Sequence, residues 1–404
     1  MGARGQAAPD VVMVLENCGY PLDARVRMEA ESLVESGLSV EVLAPREPDR
    51  PVRELVRGVR VTRVPLPEGH GKLLGTGLEY LAASCVITAA VLRRLARTRS
   101  GTLHVHNPPD FFFPLLWLAR WWGWSTVFDH HDDAAGMLQA KLGRATPVES
   151  LLAWMRDQSA TAADLTITTN DTQRELVAVA ARRVIVVRNS PPVWFADHRS
   201  SPPSGRARLV FLGEIGVQDR VERAIDILSQ LLNDRRVDVE LLIIGDGPQR
   251  RTVEERARQL NVSDRVTITG WVPFEEVPVL LASAHVGLDT APPTEVNHGS
   301  TMVKILEYLA LGLPVVASAL RETKVTGGDA IVTIAEDSVE AFITPLIELL
   351  TSTDAWQASA DRARARGMQL QWPVQAECLI HAYRKLGEVF DPDEENVVCR
   401  PSHG

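Results

Sequence analysis

The stretch NHGSTMVKILEYLALGLPVVA, Asn297 to Ala317, reads as a polar, glycine-containing loop entering a helix, then a Gly-x-Pro turn that opens a β-branched strand. The helix is expected over Ser300–Leu311, with Ser300 or Thr301 as its cap and its leading N–H groups aimed at the loop. Such an end carries partial positive charge and suits a diphosphate. Lys304, in the first turn, adds a full charge, and Glu307 follows on the same face. A carboxylate there can accept two hydrogen bonds from a ribose diol. Anion seat, ammonium and diol acceptor together describe a nucleotide-sugar site; the plainer alternative is a capped helix with an i,i+3 ion pair.

Outward from this stretch, short β-branched runs alternate with longer helical patterns. Val11–Leu15, Ser39–Leu43, Val59–Val64, Leu103–His106, Ser125–Asp129, Leu165–Thr168 and Val184–Val187 read as strands, with helical periodicity over Arg25–Ser36 and Leu78–Arg97. A second series has strands at Leu209–Leu212, Val239–Ile244, Val266–Thr269, Val286–Asp289, Pro314–Ala317 and Ala330–Ile334, and helices at Asp219–Asn233, Gln249–Leu260 and Val374–Val389. Both series are βαβ trains, which imply mostly parallel, doubly wound α/β sheets. The domains expected are 1–190, a Pro- and Ser-rich linker at 191–206, 207–371, a C-terminal helix at 372–390 packing back on the first domain, and a disordered tail at 391–404. Ligands of such folds sit at the carboxyl ends of the strands, here in a cleft expected between the two domains.

Bulk properties narrow the function. At 404 residues the chain exceeds one typical core, and a net charge of -9 argues against general nucleic-acid binding. Cys18, Cys85, Cys378 and Cys399 have no metal spacing, so a reduced, cytoplasmic protein is expected. No apolar signal core or membrane-length run is present. The aromatic run FFFPLLWLARWWGW, Phe111 to Trp124, reads as a buried helix after a strand, the alternative being a surface that touches a lipid monolayer.

Chemistry-bearing residues gather at strand ends. After the first strand, Gly19 allows close backbone approach and Asp23 can cap the helix that contains Arg25. His104-Val105-His106-Asn107-Pro108-Pro109-Asp110 and Phe128-Asp129-His130-His131-Asp132-Asp133 follow two further strands. His130 and His131 are adjacent and face opposite sides, so they read as hydrogen-bond donors rather than as ligands of one ion. Arg188 either reaches the ligand or pairs on the surface. Gly213 and Gly216 let backbone approach phosphate, and Gly245 sits in a tight turn that is either structural or ligand-facing. Trp271 and Val272 flank a base, unless Trp271 packs in the core.

With these residues in order, the chain resembles the retaining GT-B glycosyltransferases of family four over nearly its whole length. Within that family it is most similar to the fucosamine-transferase-like branch. The matching patterns are P-x-D-x-R-V-x-x-E-A from Pro21 to Ala30, H-x-H-N-P-P-D from His104 and D-x-H-D around His131. Three more follow: V-V-R-N-x-P from Val186, G-x-x-G-x-Q-D from Gly213 and S-T-M-x-K-x-x-E-Y-x-A-x-G-x-P from Ser300. The resemblance implies two Rossmann-like domains facing a cleft. An NDP-sugar (UDP or GDP) would be held mostly by the second domain and the acceptor mostly by the first. Glu307 would hold the ribose, Lys304 and the amides at Ser300 and Thr301 the diphosphate, and His131 would touch the donor sugar near the reacting carbon. Retention by same-face attack would let the leaving phosphate take the acceptor proton, so no protein nucleophile is required.

The residues expected to act are then His131, Lys304 and Glu307. Donor contacts are expected from Gly19, Gly213, Gly216, Gly245, Trp271, Val272, Asn297, His298, Gly299, Ser300, Thr301, Met302, Lys304 and Glu307. Acceptor contacts are expected from Tyr20, Arg25, His106, Asn107, His130 and Asp132. No metal or other cofactor is expected. The acceptor is a small molecule (a natural product or a thiol) or a lipid-linked saccharide. Peripheral contact with the inner face of a membrane and a homodimer complete the partners expected.

Departures from the family pattern are also visible. Glu214 and Asp219 stand where the family has Arg and Lys, and Gly299 stands where it has a Glu eight residues before Glu307. Lys304, His298, Arg188, Arg321 or Lys324 would then supply the charge, and Pro292 to Gly299 would read the sugar. Asp133-Ala134-Ala135-Gly136 replaces the family's D-L-x-P-E. These departures motivate two alternatives: a pseudo-glycosyltransferase coupling sugar-like units, and a nucleotide-binding protein without catalysis.

Overall fold

Fourteen strands in two sheets organise the computed structural model, which describes residues 8–65, 73–142 and 147–386. The expected tail at 391–404 and Cys399 lie outside the described residues. The chain divides into two units. One holds the residues up to Arg188 together with those from Gln375 onward, and the other holds Asn189–Val374.

In the first unit the strands are β1 (Val11–Val14), β2 (Val40–Pro45), β3 (Arg53–Val56), β4 (Val59–Val64), β5 (Thr102–His106), β6 (Ser125–His130), β7 (Leu165–Thr168) and β8 (Val184–Val186). Their order is β3-β4-β2-β1-β5-β6-β7-β8, parallel throughout except for the β3–β4 hairpin. The strand β3 is missing from the sequence reading. Its residues, RELV, are two charged then two apolar side chains that alternate exposed and half-buried at a sheet edge, and the hairpin turn is Arg57-Gly58, both at positive φ. The strand order reverses at β1 and β5, the position where open α/β sheets collect ligands.

The second unit holds β9 (Ala207–Leu212), β10 (Val239–Ile244), β11 (Val266–Ile268), β12 (Val286–Asp289), β13 (Val315–Ser318) and β14 (Val332–Ile334), in the all-parallel order β11-β10-β9-β12-β13-β14. Both faces are covered, as the apolar runs require. Leu209 and Phe211 of β9 enter one core with the helices Glu222–Asn233 and Glu340–Thr351. The intervening Val210 and Leu212 enter the other with the helix Val303–Leu311. Here the reversal falls between β9 and β12.

Three expectations about elements change. The helix after Asn297 begins at Val303, not Ser300, because a separate five-residue helix, Glu295–Gly299, precedes it and Ser300 is extended between the two. The Pro-rich segment is not a plain linker: Val193–Asp197 forms a 3-10 turn, and Phe195 is fully buried against Trp194 and Phe274. The aromatic run forms a helix, Phe113–Trp121, that buries Leu115, Leu116 and Ala119 but leaves Trp117 44% and Trp121 78% exposed. Among the described residues no helix is long and apolar enough to cross a membrane. Cys18 and Cys85 carry free thiols, whereas Cys378 is disulfide-bonded, which the scattered cysteines did not foretell.

The helix Trp372–Arg384 is tied to the first unit. Gln375 Oε1 accepts from the Arg188 amide at 2.7 Å, and Tyr383 Oη lies 2.7 Å from His104 Nδ1. In the second unit, the helix Thr353–Gln369 packs on Val303–Leu311 so closely that a Cβ on Gly367 would lie 2.3 Å from the Leu309 carbonyl oxygen. Gly367→Ala is therefore expected to force these helices apart and cost about 1–3 kcal/mol. Urea unfolding of the variant against the parent checks this; an unchanged midpoint would contradict the packing.

Candidate active site

Unit two brings three strand-end segments together around Lys304. The first turn of the helix Val303–Leu311 carries it, and the helix is anchored under the sheet by Tyr308, whose hydroxyl accepts the Leu212 amide of β9 at 2.9 Å. The ring of Tyr308 lies where a Cβ on Gly287 of β12 would be, 2.5 Å from the ring, so glycine there admits the helix. Lys304 Nζ donates to Asp219 Oδ1 at 2.5 Å, lies 3.6 Å from Asp289 Oδ1 and sits 4.3 Å from the centre of the Phe211 ring. Gly213, at φ +135, brings the β9 turn to within 3.4 Å of the lysine stem, measured from its virtual Cβ.

Glu307 is one turn on and 8% exposed. Among the described residues its carboxyl has no hydrogen-bond or ion-pair partner. Burial pushes its pKa up to about 8, against the pull of Lys304. Asp289 is fully buried with both oxygens lacking hydrogen-bond partners, and burial raises its pKa as well. A diol can donate to Glu307, and an anion can take the lysine only by competing with the two aspartates.

The expected capping is replaced. Ser300 Oγ donates to the Val296 carbonyl at 2.8 Å, and the N-cap is Met302, which offers no side-chain acceptor. Neither Ser300 nor Thr301 occupies the cap, although the leading amides of the helix remain without a cap side chain. Asn297 is turned inward, its Nδ2 donating to the carbonyls of Gln218 and Pro292 at 2.9 Å each, so it joins two loops instead of facing a sugar. His298 Nδ1 accepts the Arg321 amide at 3.2 Å. Arg321 and Lys324 are exposed. Arg188 pairs with Asp171 and is 7% exposed, which answers its two readings in favour of a structural pair. Trp271 is 81% exposed, so its packing in the core is ruled out. Gly245 proves structural: at φ +141 its Cβ would lie 2.0 Å from the Gly213 carbonyl oxygen.

Unit one gathers a different cluster. Asp129, the penultimate residue of β6, receives Arg25 at 3.1 and 3.2 Å and lies 3.0 Å from His131 Nε2. His106 Nδ1 is 3.5 Å from the same carboxylate and 3.4 Å from His131 Nε2, and the His104 and His106 rings stack at 4.2 Å. Burial favours a neutral Asp129, but Arg25 and His131 outweigh it and hold the carboxyl well below its ordinary range. Burial and the Asp129 charge push Glu29 well above its ordinary value, so it keeps its proton. Burial keeps His104 and His106 neutral.

Glu29, His104, His106 and Asp129 could face a metal ion, since one ligand atom from each lies within 4.8 Å of the others. Arg25 already supplies the positive charge: its guanidinium is 3.1 Å from both Glu29 and Asp129 and donates to the Val187 carbonyl at 2.7 Å. A dication added there would meet that guanidinium in a dry interior, so the residues present do not favour one.

The expected acceptor contacts are mostly corrected. Tyr20, Arg25, His106, Asn107 and His130 are each 7% exposed or less. Arg25 and His106 belong to the Asp129 cluster. Asn107 shapes its loop by donating to Asp110 Oδ1 at 3.0 Å and to the Asp132 carbonyl at 2.8 Å. His130 Nε2 meets Gln173 Oε1 at 2.9 Å. Asp132 is exposed and His131 is 11% exposed, so these two can meet a ligand. The sequence reading missed Glu16, half-buried just past β1. Among the described residues it has no cation partner, and burial lifts its pKa to about 7. It also missed Asp219 as the partner of Lys304, though an acid at 219 where the resembled family has a lysine was the available signal.

Comparison with known proteins extends over both units. A model of the glycosyl transferase 4-like domain matches residues 22–190, and a model of the glycosyl transferases group 1 matches residues 206–352. A 2-deoxystreptamine glucosyltransferase of Streptomyces kanamyceticus is 26% identical over 321 residues, 74% of each chain. A GDP-mannose-dependent alpha-(1-6)-phosphatidylinositol dimannoside mannosyltransferase of Mycobacterium tuberculosis is 37% identical over 111 residues, 27% of this chain and 26% of that one. The structure of sucrose-phosphate synthase from Thermosynechococcus elongatus superposes with a TM-score of 0.70 at 16% identity, covering 93% of this chain and 98% of that one. The fold is thus the two-domain α/β GT-B fold.

The raised carboxyl of Glu307 makes stability depend on pH. Below 4.5, the ordinary value, folded and unfolded chains both hold the proton; between 4.5 and about 8 only the folded chain does. Its contribution therefore falls as pH rises through that window and levels off above it. Glu307→Gln is expected to match the parent near pH 4 and to exceed it at pH 8 by on the order of a few kcal/mol. Urea unfolding across this range checks the sign.

Proposed function

We propose that this chain, matched by glycosyl transferase models over residues 22–190 and 206–352, moves a sugar from a UDP- or GDP-sugar to a small-molecule acceptor with retention of anomeric configuration. The observation that carries the donor half is Glu307: a buried carboxyl without a hydrogen-bond or ion-pair partner among the described residues, one helical turn from Lys304, at the strand ends where β9 and β12 diverge. It can accept a ribose diol, with the diphosphate at the helix start. Arg321 and Lys324, exposed after β13, add positive charge at these strand ends. His131, backed by Asp129, is the group of unit one suited to meet the donor sugar. The leaving phosphate takes the acceptor proton, so the protein's part is to orient and to stabilise the departing charge. This reading uses no metal and keeps the resemblance to the fucosamine-transferase-like branch as part of the proposal.

For the acceptor we favour an amine-bearing molecule. Glu16 and Asp132 stand just past strand ends of unit one, and Asp110, in the Asn107 loop within electrostatic reach of Asp132, is pushed up to about 7 by burial. These carboxyls attract an ammonium and repel a phosphoinositide. The Streptomyces relative's name, with its aminocyclitol acceptor, agrees. A lipid-linked acceptor is the second reading, favoured by Trp117, Trp121 and Trp154, each 44% exposed or more, as a surface for peripheral membrane contact. A cytoplasmic enzyme, alone or as a homodimer, fits both. Coupling of sugar-like units without a glycosidic bond, or nucleotide binding alone, are the outcomes that product analysis would expose.

A nucleoside diphosphate that binds the native state stabilises it by mass action, by about 2.7 kcal/mol at a hundredfold excess over Kd, and so raises the melting temperature. UDP or GDP is expected to do so, and Glu307→Ala to lower kcat/KM at least about a hundredfold with the fold intact. Thermal shift followed by turnover assays with UDP- and GDP-hexoses and an aminocyclitol acceptor checks both. Full activity in Glu307→Ala would sink the reading.

A further inference from the structure

We propose that Asp219 sets how strongly this protein takes an anionic donor: its carboxylate holds the Lys304 ammonium where a diphosphate would, and donor binding exchanges one anion for the other. This deepens the donor-site reading and rests on it.

Two carboxylates share one ammonium. Asp219 Oδ1 is 2.5 Å from Lys304 Nζ and Asp289 Oδ1 is 3.6 Å away, while the Phe211 ring closes a further side at 4.3 Å. They differ in their freedom to leave. Asp289 ends strand β12, is fully buried and has neither oxygen hydrogen-bonded, so it stays beside the lysine and needs its charge. Asp219 lies on the loop after β9, with its side chain 11% exposed. The backbone of that loop is pinned, because Thr290 Oγ1 donates to the Asp219 carbonyl at 3.2 Å and Asn297 Nδ2 to the Gln218 carbonyl at 2.9 Å. Only the Asp219 side chain has to turn away when an anion arrives. A lysine suits such an exchange, being a point charge with three rotatable donors.

The role of Asp219 is graded by ligand charge. Removing its charge frees Lys304 from its nearer partner and takes a repulsive carboxylate from beside the phosphates. A neutral nucleoside gains nothing from this, a monophosphate gains some and a diphosphate gains most. A merely structural Asp219 would alter all three alike.

Calorimetric titration of the full chain with UDP, UMP, uridine, GDP, GMP and guanosine, for the parent, Asp219→Asn and Asp219→Ser, is the test. Both variants are expected to bind the preferred diphosphate about tenfold more tightly, the monophosphate less so and the nucleoside unchanged. The gain should vanish when Asp219→Asn is made in a Lys304→Met background, the parent, both single variants and the double variant closing a double-mutant cycle. Equal or weaker diphosphate binding in both variants, or an equal gain for the nucleoside, overturns the proposal. A parent that binds neither UDP nor GDP overturns the donor-site reading as well, whereas a binding parent without the graded gain overturns the Asp219 role alone.

Discussion

A lysine keeps its charge when buried only if a counter-charge stands beside it, and the arrangement of unit two follows from that constraint. Lys304 enters the interior because Asp219 and Asp289 wait there, one on a loop and one on a strand end. Unpaired, the ammonium would shed its proton or the helix start would move to water. With the pair in place, Tyr308 can bond the β9 backbone and Gly367 can let the second helix press close. Glu307 is then carried inward on the same helix without a counter-charge, and it adapts by keeping its proton. The site is built from groups whose charge states are set by what surrounds them, so a ligand that alters those surroundings changes the charges too.

The sequence disclosed the architecture well, because apolar runs of strand length separated by helical periods have few other solutions. It disclosed the edge strand β3 poorly. RELV has no continuous apolar run, and only the Arg57-Gly58 turn marks it. The helix start was misplaced by three residues for a similar reason. Ser300 is a good cap by type, but its hydroxyl is spent on Val296, one turn back in a short helix that periodicity cannot reveal at five residues.

Site residues were legible by position and far less by role. The motifs that carry Asp129, His131, Lys304 and Glu307 do lie at a strand end or in the first turns of a helix that follows one. What a linear reading could not tell is depth. Tyr20, Asn107 and His130 belong to polar motifs at strand ends, yet all three are buried, with Asn107 bonded within its own loop and His130 to Gln173. Polar residues under a ligand-facing loop and polar residues on it share the same sequence signature. Pairing across long separations was equally hidden: Arg25 meets Asp129 and Lys304 meets Asp219 only once the sheet order brings the loops together.

These two pairs are the same device with opposite consequences. In each unit a buried cation bridges two acidic side chains next to the point where the strand order reverses. In unit one the cation is Arg25, whose planar fork engages both Asp129 oxygens and, with Glu29 and the Val187 carbonyl, leaves it nowhere to go. A guanidinium held this way is scaffolding, and its product is a fixed Asp129 against which His131 is oriented. In unit two the cation is a lysine with a single close oxygen partner, on a loop that remains partly open to water. A point charge with one near partner can change partners at little geometric cost. Placing arginine where rigidity is needed and lysine where exchange is needed divides the labour between the units, and it puts the only readily transferable one of the two buried cations where an anion would arrive.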